Sequence, residues 1–521
     1  MDHLPPELIY RVGWFVSPWV SSKEGHRDLF EFRPKDLLAC IAVSRTWHRT
    51  LSSLLWMTYC DTPGTPWGAS TSVRWGDWDV PSTTVVTYSR YFRYLSLHLP
   101  WTGNALHSTH LRELVVSNSA LRSCIDLVSD NPQLTLLSLE FDGDDVYDDL
   151  HSAFDSLTRL KSLCLNRCSF RSSTDQFISF VGDNPVLKHL SLTDLTGLTR
   201  FQEHPAFECL THLVLDCSWN SNPGIVHLIR LCPHLESLTF QPDISCPATN
   251  LSKAIRESCP RLISISCTEI YRHFLEPIMG DNRILLLIQA IPRLVHFDMA
   301  INNFSWTICQ TLLGVNSGWL ETVHLYHDRG NKEGCRNASR ILATCSNLRS
   351  FILFHRSIVE MTEDVQALFD LPWNCPLLER IELVGFQSYD DATDDDDNGS
   401  ETQSESSEAP AIGLGRSTGG PGGWDGEDSF GGPSTDPEDR SESIRYEPRS
   451  RAHTEASDHD FLNMLERHGW KDRFSGDAVQ TITRAERALR DRLFERLADL
   501  PSMKRIIVQE CEYVRKTTTQ T

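Results

Sequence analysis

The clearest signal along the chain is a recurring phrase of hydrophobic positions: apolar, two variable, apolar, one variable, apolar. It reads Leu134, Leu137, Leu139, then Leu160, Leu163, Leu165, then Leu187, Leu190, Leu192. It continues through Leu210, Leu213, Leu215 and Leu235, Leu238, Phe240. More varied copies follow at Leu262, Ile265, Cys267; Leu294, Phe297, Met299; Leu320, Val323, Leu325; Leu348, Phe351, Leu353; Leu378, Ile381, Leu383; and Met503, Ile506, Val508. Two degenerate copies precede them, at Phe92, Leu95, Leu97 and Leu111, Leu114, Val116. In the closing apolar-x-apolar the two apolar side chains share one face of a short strand, and the residue between them takes the other. Between phrases the spacing turns helical. Ile225, Val226, Leu228 and Ile229 follow Asn222-Pro223, and Thr362 stands as a cap before Val365, Leu368 and Phe369. Prolyl breakers stand just ahead of several strands, as in Asn131-Pro132, Asn184-Pro185, Cys232-Pro233, Cys259-Pro260, Ile291-Pro292 and Cys375-Pro376.

The first positions from Phe92 to Leu378 lie 19 to 32 residues apart, and a gap of 125 then separates Leu378 from Met503. The shorter period is close to that of leucine-rich repeats. One strand and one helix per unit predict an α/β fold: a curved solenoid with a parallel concave sheet and helices outside.

Both flanks break the pattern. Three short helices are expected before residue 57: one starting at Leu4-Pro5-Pro6-Glu7 with Leu8, Val12 and Phe15 at helical spacing, one from Asp36 through Leu37, Leu38, Cys40, Ile41 and Val43, and one capped by Ser44 with Trp47, Leu51, Leu54 and Leu55 on one side. Late in the chain, Phe461, Leu462 and Leu465 mark a short helix, and Asp477 opens a longer one carrying Val479, Ile482, Ala485, Leu489, Phe494 and Leu497.

Charge adds a segment that hydropathy alone does not mark. The 521 residues carry 49 Lys+Arg and 70 Asp+Glu, a net of -21, and residues 390–452 hold 17 acidic against 5 basic residues, a net of -12. With 10 glycines and isolated Trp424, Phe430 and Ile444, that stretch is expected to be disordered. Thr393, Ser404, Ser406 and Ser407 sit among its acids, so it reads either as a solvated insertion or as a regulated tail. The expected organisation is 1–57 for the three-helix module, 58–90 for a linker and N-terminal cap, 91–389 for the repeats, 390–452 for the acidic Gly/Ser-rich insertion, and 453–521 for C-terminal helices, the last repeat and a cap. An acidic chain argues against nucleic acid or an anionic membrane as main partner. Its longest clean aliphatic run, Ile284 to Ile288, is far below membrane-spanning length. None of the 16 cysteines forms a Cys-x-x-Cys pair, and with no secretory signal they read as reduced core thiols of a cytoplasmic or nuclear protein.

The N-terminal residues resemble the F-box. The motif is carried by Leu4-Pro5-Pro6-Glu7-Leu8, Asp36-Leu37-Leu38, Val43-Ser44-Arg45-Thr46-Trp47 and Leu55-Trp56, over about residues 4–56. Glu7 and Asp36 are 29 positions apart, wider than the family's interval, so residues 17–34 are expected as an inserted loop. With the repeats behind it, the chain is similar to F-box proteins with leucine-rich repeats, substrate receptors of SCF-type ubiquitin ligases. The resemblance implies that the module docks on a Skp-family adaptor and through it a cullin, with Leu4, Pro5, Ile9, Leu37, Leu38 and Trp47 as the adaptor-binding candidates. It also implies a non-catalytic receptor holding an unknown protein substrate on the concave face.

Residues alternating with the core leucines should line that face: His189, Ser191, His212, Asp216, Ser237, His296, Asp298, His324, Tyr326, Ser350, Phe354 and Glu382. Tyr326, Phe354, His324, Asp298 and Glu382 are the substrate-binding candidates, because aromatic residues dominate binding hot spots. No cofactor or metal is expected. The acidic run from Asp142 has Tyr147 where a calcium loop needs glycine and Ala153 where it needs glutamate. The pairs His107/His110 and His324/His327 lack a zinc set, and no cysteine sits in a nucleophilic signature. Two alternatives stay open: a leucine-rich scaffold without ubiquitin transfer, and a repeat ligase with its own cysteine nucleophile.

Overall fold

Every phrase becomes a strand, and the strands stack in chain order. The computed structural model describes residues 4–16, 19–24, 27–32, 35–60, 81–98, 106–117, 125–141, 153–167, 174–193, 205–216, 223–240, 248–267, 281–301, 304–327, 332–360, 366–387, 470–472, 484–497, 500, 502–508 and 511–515. The chain divides into two units, Met1–Ser388 with Lys471–Thr521, and Tyr389–Trp470. The acidic insertion expected at 390–452 and the helix expected at Phe461 to Leu465 lie outside the described residues.

In the first unit, β3 (Thr58–Cys60) opens a parallel sheet. It continues through β4 (Tyr94–Leu97), β5 (Glu113–Val116), β6 (Leu136–Glu140), β7 (Ser162–Asn166), β8 (His189–Thr193), β9 (His212–Asp216) and β10 (Ser237–Phe240). It runs on through β11 (Ser264–Cys267), β12 (His296–Ile301), β13 (Thr322–His327), β14 (Ser350–Glu360) and β15 (Arg380–Gln387). The later β17 (Arg505–Val508) pairs in parallel with β15, Arg380 facing Arg505, and β18 (Cys511–Arg515) turns back antiparallel on it. A three-residue strand, β16 (Trp470–Asp472), precedes them in sequence. The solenoid thus resumes after the 125-residue gap, in register.

The phrase residues form the core. Leu134, Leu137 and Leu139 are fully buried, and so are Leu320, Val323, Leu325, Leu348, Phe351, Leu353, Leu378, Ile381 and Leu383. Burying three such side chains contributes roughly 1.5–3 kcal/mol each. That offsets an ordering cost of about 1–2 kcal/mol for each residue of a short strand.

A backbone clamp sets the stacking. One carbonyl ahead of each strand accepts two N–H donors from the next repeat. Arg112 O receives the N–H groups of Thr135 (2.7 Å) and Leu136 (3.1 Å), and Lys161 O those of Lys188 (2.9 Å) and His189 (3.0 Å). The arrangement recurs from Met57 O to Glu379 O, so the residue before each strand has its main chain fixed from both sides. Just upstream, the breaker position closes a turn, as in Leu235 N donating to Cys232 O and Leu378 N to Cys375 O. Where that position is asparagine, the side chain adds a second tie. Asn131 accepts from Leu111 N (2.8 Å) and donates to the carbonyls of Ser108 and Leu127 (2.7 Å each).

Helices return the chain between strands, as expected: α4 (Ser82–Tyr88), α5 (Ile125–Ser129), α6 (Thr174–Asp183), α7 (Pro223–Arg230), α8 (Ala248–Ser258), α9 (Asp281–Ala290), α10 (Trp306–Asn316) and α11 (Lys332–Thr344), with α12 (Arg484–Leu497) before β17. Of the helix expected after Thr362, the described part, Gln366–Phe369, is a 3-10 turn. At β14–β15 the register slips, with Phe354 facing Val384 and Val359 facing Phe386.

The N-terminal module is α1 (Pro6–Phe15), α2 (Lys35–Ile41) and α3 (Arg45–Leu55). Ser44 caps α3 by accepting from Trp47 N at 3.4 Å. Residues 17–34 contain more than a loop: β1 (Trp19–Glu24) and β2 (Arg27–Phe32) pair antiparallel, Glu24 against Arg27. Residues 58–60, in the span expected as linker and N-terminal cap, form the first strand of the sheet. Trp56 stacks on Tyr88 (4.9 Å between centroids) and Tyr59 on Phe92 (5.5 Å), so α3 runs straight into the first repeat through an aromatic seam.

Candidate functional site

The first candidate surface lies on α1. Sequence spacing grouped Leu8, Val12 and Phe15, and the structure turns that stripe outward. Leu8 is 45% exposed and Phe15 93%, with Leu4, Val12, Tyr10 and Trp14 also exposed. The packed face is Ile9 and Gly13. A Cβ on Gly13 would stand 2.5 Å from Leu51 Cδ2 and 2.6 Å from Leu54 Cδ1, so the glycine lets α1 lie against α3. At 3.6 residues per turn, Leu4, Leu8, Val12 and Phe15 share one stripe about a third of a turn away from Ile9 and Gly13.

The six adaptor-binding candidates therefore divide. Leu4 and Pro5 are exposed at the start of α1, and Leu38 is half-buried. Ile9, Leu37 and Trp47 are instead buried among the three helices, because a module this small needs its largest inward side chains to close a core. The Trp47 indole N–H is buried without a hydrogen-bond partner. Leu8, Tyr10, Val12, Trp14, Phe15 and Val43 are the exposed apolar residues missing from those six. The helical spacing of Leu8, Val12 and Phe15 was the signal available for them.

The second surface is the concave face of β12 to β15, where pairing brings three cross-strand rows together. Asp298, His324, Ile352 and Glu382 form one row, and His296, Thr322, Ser350 and Arg380 another. Ala300, Tyr326, Phe354 and Val384 form the third. His324 bridges two rows: its Nδ1 lies 3.4 Å from Asp298 Oδ2 and its Nε2 3.0 Å from Ser350 Oγ. Arg380 Nη2 donates to Glu382 Oε2 at 2.5 Å. The Tyr326 and Phe354 rings tilt together at 5.9 Å. Tyr326, Phe354, His324, Asp298 and Glu382 are thus one cluster, as their alternation with the core leucines predicts, and Ser350 and Arg380 complete it.

The order Ser350, His324, Asp298 resembles a nucleophilic triad in outline. Yet Ser350 Oγ stands on a central parallel strand whose N–H groups are spent in the ladder and the clamp. An acyl-transfer site needs such donors aimed at a developing oxyanion. The arrangement instead fixes the ring and the carboxylate as hydrogen-bonding groups beside an aromatic pair, a surface suited to binding.

In the middle repeats, His189 and His212 stack at 4.1 Å on the same face. Burial lowers both pKa values, and for His189 the neighbouring His212 and Lys188 lower it further, so the pair is neutral near pH 7. The thiols of Cys232, Cys259, Cys309, Cys345 and Cys375 are buried, and burial pushes the last four up to about 12. They are protonated core groups at neutral pH, the opposite of an activated nucleophile. Among the described residues, no group of three or more His, Cys, Asp or Glu is placed to hold a metal ion, and no helix is long and apolar enough to cross a membrane.

No protein-family model matches the chain, and no curated protein sequence matches it. Among solved structures it is similar to the yeast Rad7–Elc1 complex at 15% identity, covering 61% of this chain and 87% of that one, with a TM-score of 0.30. A leucine-rich-repeat protein of Leptospira interrogans matches at 14% identity over 59% of this chain and 87% of its own, TM-score 0.28. The leucine-rich repeat domain of APL1B matches at 13% identity over 59% and 78%, TM-score 0.22. At scores this low, the leucine-rich-repeat architecture rests on the strand pairing and core burial of the chain itself.

Proposed function

We propose that the chain is a substrate receptor of an SCF-type ubiquitin ligase, with the three-helix module as an F-box docking on a Skp-family adaptor and the concave face holding a protein target. The observation that carries this reading is the exposed apolar stripe of α1, directly after the Leu4-Pro5-Pro6-Glu7 motif. A helix with its core side satisfied by Ile9 and Gly13 has no internal use for Leu8 and Phe15, and a stripe of this kind suits a partner helix. The aromatic seam from α3 into the first repeats supports the role, since it would hold the target-binding sheet at a fixed attitude to the adaptor. The contribution to ubiquitin transfer is proximity, raising the target's effective concentration near the thioester. Among the described residues, the buried, protonated thiols of Cys259, Cys309, Cys345 and Cys375 are unsuited to be a ligase's own nucleophile, which supports the receptor reading.

Co-purification with adaptor and cullin tests the reading. Leu8→Asp/Phe15→Asp places charges on solvent-facing positions, leaves the melting temperature unchanged, and is expected to weaken adaptor capture about a hundredfold or more, as loss of apolar hot spots does. Tyr326→Ala/Phe354→Ala is expected to keep the adaptor and lose the target's ubiquitination. Undiminished adaptor capture by the α1 variant would sink the docking assignment. Adaptor capture by the wild type without any ubiquitin transfer would favour the scaffold.

A further inference from the structure

A cationic groove at the other end of the sheet is unlike the rest of this acidic chain. It has a volume of about 550 Å³ and lies at the N-terminal ends of β4 to β7. Arg93, Arg112, Arg159 and Lys161 line it with His110, and Glu113 is its single acid. Tyr94, Gln133 and Thr135 supply neutral hydrogen-bonding groups between them.

The cations are placed by the backbone clamp. Arg93, Arg112 and Lys161 each occupy the position just before a strand, with the carbonyl held by two N–H groups of the next repeat. Strands lie about 4.8 Å apart, so these three residues mark a fixed line about 14 Å long, with Thr135 between the last two. Arg93 Nη1 donates to His110 O at 3.0 Å, which further fixes one guanidinium. None of the four cations pairs with a carboxylate among the described residues, Glu113 included. The same row is self-neutralised further along. Arg349 reaches Glu321 (3.4 Å) and Glu379 (3.1 Å), and Lys504 reaches Glu379 (2.6 Å). One end of the track is therefore saturated, and among the described residues the other retains donors that no carboxylate takes.

We infer that the groove at Arg93, Arg112, Arg159 and Lys161 is a second contact site on the solenoid, which binds an acidic or phosphorylated peptide segment of a protein partner. The three in-line cations span about 14 Å in two gaps, about 7 Å on average, which matches an extended chain whose alternate carboxylates or phosphates face one way. A long polyanion such as nucleic acid fits less well, because a chain of net charge -21 repels whatever extends past four cations. Glu113 opposes the ligand, and burial raises its half-buried carboxyl above the usual carboxylate range. The inference rests on the solenoid's being a protein-binding surface and is independent of adaptor docking.

Fluorescence anisotropy on the full-length protein provides the test, using labelled oligoglutamate, a phosphoserine-containing analogue, oligoglutamine and a single-stranded oligodeoxynucleotide. Oligoglutamate and the phosphopeptide should bind, weakening as salt is raised, while oligoglutamine does not. Arg112→Glu/Lys161→Glu should lose about tenfold or more in affinity. Glu113→Gln should bind more tightly, and Arg230→Glu, on α7, should bind as wild type. Circular dichroism checks folding, and Arg159→Gln provides a milder variant that must also weaken binding. Equal binding of oligoglutamate and oligoglutamine, or an unchanged affinity in the double variant, would overturn the site. Tighter binding of the oligonucleotide than of either peptide would overturn the peptide assignment. No adaptor enters this assay, so its failure and the failure of adaptor docking are separately visible.

Discussion

Acidification from about pH 7.5 to about pH 5 should cost the fold about 2 kcal/mol, rising to about 3 kcal/mol near pH 4, through His355 alone. His327 and His355 are buried side by side on the core side of β13 and β14, ring centroids 5.1 Å apart and the His327 ring edge-on to Phe304. Burial holds His355 down to about 4 from 6.5. It holds His327 well below 6.5, with His355 adding to the shift. The sign follows directly. An unfolded chain takes up protons on these rings as pH falls below 6.5, whereas the folded chain keeps His355 neutral until near 4 and holds His327 neutral well below 6.5. Stability is therefore complete above 6.5 and is lost across that interval. His189, His212 and His296, less buried, shift in the same direction and contribute less. Urea midpoints at the two pH values measure the slope, and His327→Leu/His355→Leu should flatten most of it. A double variant with the wild-type slope would show that these rings are not the source.

Gly385→Val should be among the most damaging single substitutions in the chain. Gly385 has φ +89°, a region that a β-branched residue adopts only with strain, and its Cβ would stand 1.8 Å from His355 O and 2.7 Å from His355 C. Those atoms are backbone, on the strand that pairs with β15, so the clash cannot be relieved by turning a side chain. Backbone strain of about 1–3 kcal/mol adds to overpacking of about 1–3 kcal/mol or more. Relief requires β15 to move away from β14, carrying Arg380 and Glu382 out of the concave cluster. A lowered thermal midpoint together with loss of the proposed target binding is the expected pair of results. A variant as stable as wild type would show that the register slip between Phe354 and Val359 can absorb a side chain.

The repeat was legible because its period does the encoding. Leu-x-x-Leu-x-Leu states which residues go inward whatever lies between phrases, and Leu137, Leu163, Leu353 and Ile506 are all buried accordingly. The module was less legible. Leu8, Val12 and Phe15 have the same spacing whether their stripe closes a core or faces outward, and only the placement of Gly13 under Leu51 and Leu54 tells the faces apart. The hairpin between α1 and α2 went unseen because its strands alternate poorly, although Gly25-His26 between Glu24 and Arg27 is a two-residue turn signal. The concave cluster was readable residue by residue, since alternation places Asp298, His324 and Glu382 on one face. What alternation cannot state is chemistry along the row before the strands, where Arg93, Arg112 and Lys161 look in sequence like scattered surface charges.

That row has an evolutionary consequence. From Met57 to Glu379, thirteen carbonyls each take two N–H donors from the next repeat, so the main chain alone sets the stacking there. The side chains at those positions are not needed for that stacking, and their exposed ion pairs contribute little, so they can be exchanged at little cost in stability. Arginine, threonine, lysine, glutamate, isoleucine and valine all occupy the site along one chain. A lineage could rewrite this edge one repeat at a time, converting a cationic stretch to an acidic or apolar one. Partner choice would then drift quickly while the solenoid beneath it stayed the same.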